Sequence, residues 1–211
     1  MNPVSLAMIL AMTLGQVTTT DISPKLEAAF AKSIAYEKQQ QNTDAIKALT
    51  DLTGPDQSSY FTQLRLGWLH YKSAQYTEAE IAYKAALQTL PNATEAKLGL
   101  VLVVLAELRF ADAEVLCKEV LAQDPGNYYA NLRLGYALRN QLKFDQAEAI
   151  NNLLLERYPT DVSVLLEAGL VKVGQKNKEA ADQIFKRVLL LDADNAIANQ
   201  QLGRTGKKKA G

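Results

Sequence analysis

The sequence has a single cysteine, Cys117, and a single histidine, His70. One cysteine excludes an intramolecular disulfide, and the two residues together fall short of the four ligands a structural zinc takes. Neither sign of charge is in excess, since 23 Lys and Arg balance 23 Asp and Glu among 211 residues. Binding a phosphate backbone needs a basic footprint, so nucleic acid is not an expected ligand. The one basic cluster, Lys207-Lys208-Lys209, sits between glycines and reads as a disordered, solvated tail over 205–211. No glycine-rich loop is placed to cradle a phosphate, and no nucleophile can be matched with a base. The acid pairs Glu78/Glu80 and Glu148/Glu156 have Lys and Arg nearby and read as solvated helix faces. The chain is therefore expected not to be an enzyme, with no cofactor, no metal and no small-molecule substrate.

Charge is also missing from residues 1–20, where Val4 to Leu14 forms an apolar run. Such a run is too short to span a bilayer. It suits the apolar region of a secretory signal peptide, with Thr13 and Gly15 as small residues before a cut near Gln16, although no Lys or Arg precedes it. The expectation is export, to a periplasm or outside the cell. The alternative is a cytoplasmic chain whose apolar N-terminal segment packs on the rest of the molecule. Membrane association is expected only if this segment is uncleaved.

What the sequence does contain is a period of 34 residues. Counting starts at Tyr60 and restarts at Thr94, Tyr128, Val162 and Ala196. Position 7 of each copy holds Leu66, Leu100, Leu134, Ala168 and Leu202. Position 8 holds Gly67, Val101, Gly135, Gly169 and Gly203, and position 20 holds Ala79, Ala113, Ala147 and Ala181. Leu87, Leu121, Leu155 and Leu189 occupy position 28, and Pro91, Pro125 and Pro159 occupy position 32. Four gap-free units follow: 60–93, 94–127, 128–161 and 162–195. Residues 21–59 hold a degenerate first helix pair, with Ser33 at position 8 and Ala45 at position 20, and 196–204 a terminal capping helix.

Leu66-Gly67 followed by Ala79, Tyr83, Ala86 and Pro91 resembles the tetratricopeptide repeat pattern. The tryptophan usual at position 4 is replaced by Gln63, Lys97, Asn131 and Leu165. The resemblance covers about residues 26–204. It implies an all-α fold, an α-solenoid of stacked antiparallel helix pairs forming a right-handed superhelix, with the first helix of each pair lining the inner surface.

Physical chemistry supports the same reading. Each unit carries two amphipathic stretches with a 3.6-residue apolar period. The prolines end second helices, because proline removes a donor and restrains the residue before it. Thr77 with Glu80, and Asp145 with Glu148, read as capping-box starts of second helices. Small residues at positions 8 and 20 let paired helices approach, and positions 7, 27 and 28 are expected to build the core. His70, at position 11, reads as an aromatic packed between paired helices, and Cys117 as a buried small hydrophobe.

Positions 2, 5, 9 and 12 of the first helices remain, and the resemblance places them on the inner groove. They hold Phe61, Leu64, Trp68 and Tyr71, then Glu95, Leu98, Leu102 and Leu105, then Tyr129, Leu132, Tyr136 and Arg139, then Ser163, Leu166, Leu170 and Val173, and the degenerate first copy adds Phe30 and Ile34. Leucines here are expected to pack partly against the adjacent first helix. Exposed tyrosines and a tryptophan are what protein interfaces use. Relatives that clamp a terminal carboxylate use Lys and Asn at positions 5 and 9, which are apolar here. The expected ligand is thus an apolar or amphipathic protein segment, with Arg65, Arg133 and Arg139 as rim contacts to acidic groups. Two other readings are a self-associating protein, a homo-oligomer whose groove is filled by another copy or by its own N-terminal segment, and an accessory subunit of a periplasmic enzyme or secretion complex.

Overall fold

A computed structural model describes residues 22–203, so the expected signal segment and basic tail lie outside the described residues. The described chain is helical throughout and divides into two compact units at residues 57 and 58. The first unit contains α1 (Pro24–Lys38) and α2 (Asn42–Thr50). Ser23 caps α1 by accepting from the Leu26 amide, and its hydroxyl donates to Asp56 at 2.5 Å. Ser33 and Ala45 are buried between the two helices. At nine residues α2 is short, and the chain turns at Gly54, whose φ of 62° suits a residue without a Cβ. The four-residue α3 (Pro55–Ser58) follows.

The second unit begins with α4 (Tyr60–Lys72) and α5 (Tyr76–Thr89). The next pairs are α6 (Thr94–Ala106) with α7 (Phe110–Gln123), α8 (Tyr128–Asn140) with α9 (Phe144–Arg157), and α10 (Val162–Gly174) with α11 (Lys178–Leu191). The six-residue α12 (Ala196–Gln201) ends the array. Each first helix has 13 residues and each second helix 14, so the sequence period is also a period of helix lengths. First helices also touch the first helix of the next pair, which puts them on the inner side of this all-α solenoid.

One turn geometry recurs at the same 34-residue spacing. The amides of Gln75, Arg109, Lys143 and Asn177 donate to the carbonyls of His70, Val104, Leu138 and Lys172 at 2.8–2.9 Å. This is the Schellman closure of a helix. The residue before each of these amides, Ala74, Leu108, Leu142 and Lys176, has a φ of 56–61°. The first unit repeats the turn at Gln40 and Gln41. This closure moves the start of the second helix. The N-caps are Gln75, Arg109 and Lys143, none of which caps with its side chain, and Thr77 and Asp145 lie inside the first turn. The capping boxes expected there do not form.

First helices are capped periodically instead. Side chains of Ser59, Asn127, Asp161 and Asn195 accept from amides of the first turn, while Ala93 at the equivalent place cannot.

The core is richer than the apolar pattern implied. Position 27 is buried in all four units, whereas the leucines of position 28 are only half-buried. Positions 3 and 10, which the sequence pattern did not single out, are buried in every unit as well: Thr62, Ala96, Ala130 and Val164, then Leu69, Val103, Ala137 and Val171. Position 8 is matched in size to position 24 on the paired helix. Gly67 meets Tyr83, Gly135 meets Asn151 and Gly169 meets Phe185. Where position 8 is Val101, position 24 shrinks to Cys117, whose thiol is fully buried and pushed up to about 12 by loss of solvent.

A polar ladder links the pairs along the array. Glu80 accepts from Arg109, Glu114 from Lys143 and Gln141, and Glu148 from Lys172 and Gln175, at 2.5–2.9 Å. Glu80 and Glu148, read from sequence as parts of capping boxes, are therefore rungs between neighbouring units.

Candidate partner-binding groove

The inner surface of the second unit is built by α4, α6, α8 and α10. A helix advances 100° per residue, so positions 2, 5, 9 and 12 form one stripe on each of these helices. Packing of the first helices side by side then sets the four stripes next to one another.

The stripe is divided between core and surface. Leu64 and Tyr71 pack against the buried cluster of Ala79, Tyr83, Leu100 and Val103. Leu105 packs on the cluster around Val101 and Leu138, and Leu166 and Leu170 on the one around Leu165 and Phe185. Leu98, Leu102 and Leu132 are half-buried. The exposed apolar residues are Phe61 and Trp68 at 38%, Val173 at 42% and Tyr129 at 58%. These large side chains gain nothing from water, so they constitute the part of the stripe open to a ligand.

The aromatics are organised. Trp68 and Tyr71 have ring centroids 6.0 Å apart, and Tyr71 and Tyr76 are likewise 6.0 Å apart. A cation stands by each of three groove rings: Lys72 at 5.8 Å from Trp68, Arg133 at 5.5 Å from Tyr129 and Arg139 at 5.2 Å from Tyr136. The Lys and Arg come one helical turn after the aromatic, which is why the pairs form within a single helix.

The three arginines named as rim contacts are placed differently. Arg65 is half-buried on α4. Arg139 is engaged across to α10, with Nε donating to Glu167 at 2.5 Å and Nη2 at 3.3 Å. Arg133 turns inward, and its Nη1 donates to the Leu98 carbonyl of α6 at 2.9 Å. It stands over the Tyr129 ring, and burial weakens its hold on the proton. Position 6, which carries Arg65, Gly99, Arg133 and Glu167, was not distinguished by apolar periodicity because three of its four residues are charged.

His70 is less enclosed than the packed aromatic expected there. It is half-buried at the end of α4, where its Nδ1 lies 2.8 Å from the Gln75 side-chain oxygen. Among the described residues no group of His, Cys, Asp and Glu is arranged to hold a metal ion.

Comparison with known proteins was consistent with this geometry. Two tetratricopeptide repeat family models match residues 64–128 and 104–170, together just over half of the chain. No curated protein matches. Among solved structures, MamA residues 41 to the end from Desulfovibrio magneticus RS-1 superposes with a TM-score of 0.75 at 16% identity, covering 83% of this chain and 99% of that one. A tetratricopeptide repeat protein from Parabacteroides merdae gives 0.75 at 16% identity, covering 85% and 72%. MamA from MSR-1 gives 0.68 at 21% identity, covering 82% and 100%. At these identities the likeness is one of fold.

Proposed function

Since the chain belongs to the tetratricopeptide repeat family, we propose that it is a protein-interaction scaffold whose inner groove takes an apolar or amphipathic segment of a partner. One observation carries this reading. Phe61, Trp68 and Tyr129 remain 38–58% exposed on the inner face, although their neighbours Leu64 and Tyr71 are drawn into the core. Exposed aromatics beside a half-buried leucine floor match the anatomy of an interface centre, where aromatic anchors dominate binding.

The test is co-purification from native cells with the wild-type chain, Trp68→Ala and Tyr129→Ala as baits. The variants should retain the helical circular dichroism of the wild type. A specific partner should be held by the wild type and lost from Trp68→Ala, at a cost of about 2 kcal/mol or more for a hot spot. Undiminished recovery by both folded variants would sink the groove reading. Light scattering on the same preparations separates a partner scaffold from a self-associating one, because only the latter changes mass with Trp68→Ala. Export is part of the proposal and rests on the Val4–Leu14 pattern alone. N-terminal sequencing of the protein from its native cell, with a mature end near Gln16, would support it.

A further inference from the structure

Arg133 and Arg139 occupy the same helix, α8, and differ in one respect that bears on the ligand. Arg139 has a counter-ion in Glu167, with two hydrogen bonds between them. Arg133 has none among the described residues: it donates to the Leu98 backbone carbonyl and stands over the Tyr129 ring, and no carboxylate pairs with it. A guanidinium drawn out of water without a carboxylate is costly, and one carbonyl and one ring face offset only part of that cost. Gly99, at the equivalent position of α6, offers no side chain of its own, and the Tyr83 ring stands where one would be.

We propose that the partner segment supplies the missing charge, as an Asp or Glu side chain that reaches Arg133 between flanking apolar anchors. The proposal rests on the groove reading above and adds the chemistry of the occupant. The acid belongs within the segment, not at its end. Arg133 is in the third of four units, and exposed apolar groove residues lie on both sides of it, at Phe61 and Trp68 and at Val173. A segment that covers all of them passes Arg133 partway along its length. Tyr129 contributes a ring face to the guanidinium, leaving the remaining donors for a carboxylate, which Arg binds more strongly than it binds a neutral acceptor.

The experiment is selection of random twelve-residue segments, displayed as N-terminal fusions without a free carboxyl end, on the immobilised full chain and on Arg133→Met. Segments selected by the wild type should share one Asp or Glu at a fixed spacing from aromatic or aliphatic residues. On Arg133→Met that position should lose its acid while the apolar pattern stays. A synthetic version of a selected segment, amidated at its C-terminus, should bind the wild type roughly tenfold or more tighter than the same peptide with the acid changed to its amide. This last comparison needs only the wild-type chain, so it decides the matter even if Arg133→Met fails to fold. Equal binding of acid and amide peptides, or the same acidic position on both chains, would overturn the proposal and leave the groove reading standing if binding still needs Trp68. Failure of the wild type to select any segment would remove both.

Discussion

The Tyr83 ring occupies the space a side chain would need at Gly99: a Cβ there would come within 2.3 Å of the ring. Tyr83 belongs to the second helix of one unit and Gly99 to the first helix of the next, so this contact is part of the joint between units. The same ring faces Gly67 of its own unit, where a Cβ would lie 2.7 Å away. Gly99→Ala should therefore destabilise the array by roughly 1–2 kcal/mol, the overpacking penalty reduced by the better helix propensity of alanine. Thermal unfolding should show the loss, and the double variant with Tyr83→Leu should recover part of it. An unchanged midpoint in Gly99→Ala would mean that the ring is free to move.

Asn151 takes the place of Tyr83 in the third unit and is fully buried with both amide atoms unpartnered. Leaving buried polar atoms without hydrogen bonds costs about 1–3 kcal/mol. Asn151→Cys installs the residue that the second unit uses at this position, at similar volume. It should raise the denaturation midpoint by an amount in that range. A lower midpoint would show that the amide has a partner, such as a buried water.

Among the described residues Ala93 is the only first-helix N-cap that lacks a capping oxygen. Ala93→Asp should stabilise the protein by about 1 kcal/mol, since the aspartate satisfies an unbonded amide and favours the positive end of α6. Asp161→Ala should cost a similar amount at α10. Urea denaturation of the two variants checks both signs.

Glu114 accepts from Lys118, Lys143 and Gln141, and these bonds hold its carboxyl down at about 2, below the usual 4.5. A carboxyl whose pKa is lower in the folded state binds fewer protons there than in the unfolded chain. Its stabilising effect is thus complete above about pH 4.5 and lost as the pH falls toward 2. Glu114→Gln should flatten the stability profile across that window and leave its shape near neutrality unchanged. An identical acid profile for both proteins would show that the ladder does not hold the charge.

Much of the fold was legible because each helix pair meets the same neighbours. Position 20 is alanine wherever two helices cross closely, and prolines follow the last residues of second helices, so these contacts are written into the chain at fixed spacing. The capping boxes at Thr77 and Asp145 do not form because a Schellman turn, a backbone device with no glycine to mark it here, advances the N-caps to Gln75 and Lys143. The buried status of Thr62 and Ala130 was hidden for a similar reason. Small side chains stand out little in a pattern of large apolar residues, yet both are fully buried.

The sequence by itself determined the period, the phase of its four units and the aromatic character of the inner stripe. Those features are set by contacts within and between identical helix pairs, which tie each position to one chemistry. Only the tertiary structure decided how the arginines on that stripe are used. Arg139 and Glu167 are 28 residues apart, and Arg133 and the Leu98 carbonyl 35. These distances close only when neighbouring units stack, and the direction each side chain takes depends on the room its neighbours leave. Gly99 and Glu167 are both position 6 residues, but Gly99 has no side chain to set against the guanidinium of Arg133, whereas Glu167 pairs with Arg139. The charge that remains uncompensated at Arg133 is therefore a property of the stack, not of any one repeat.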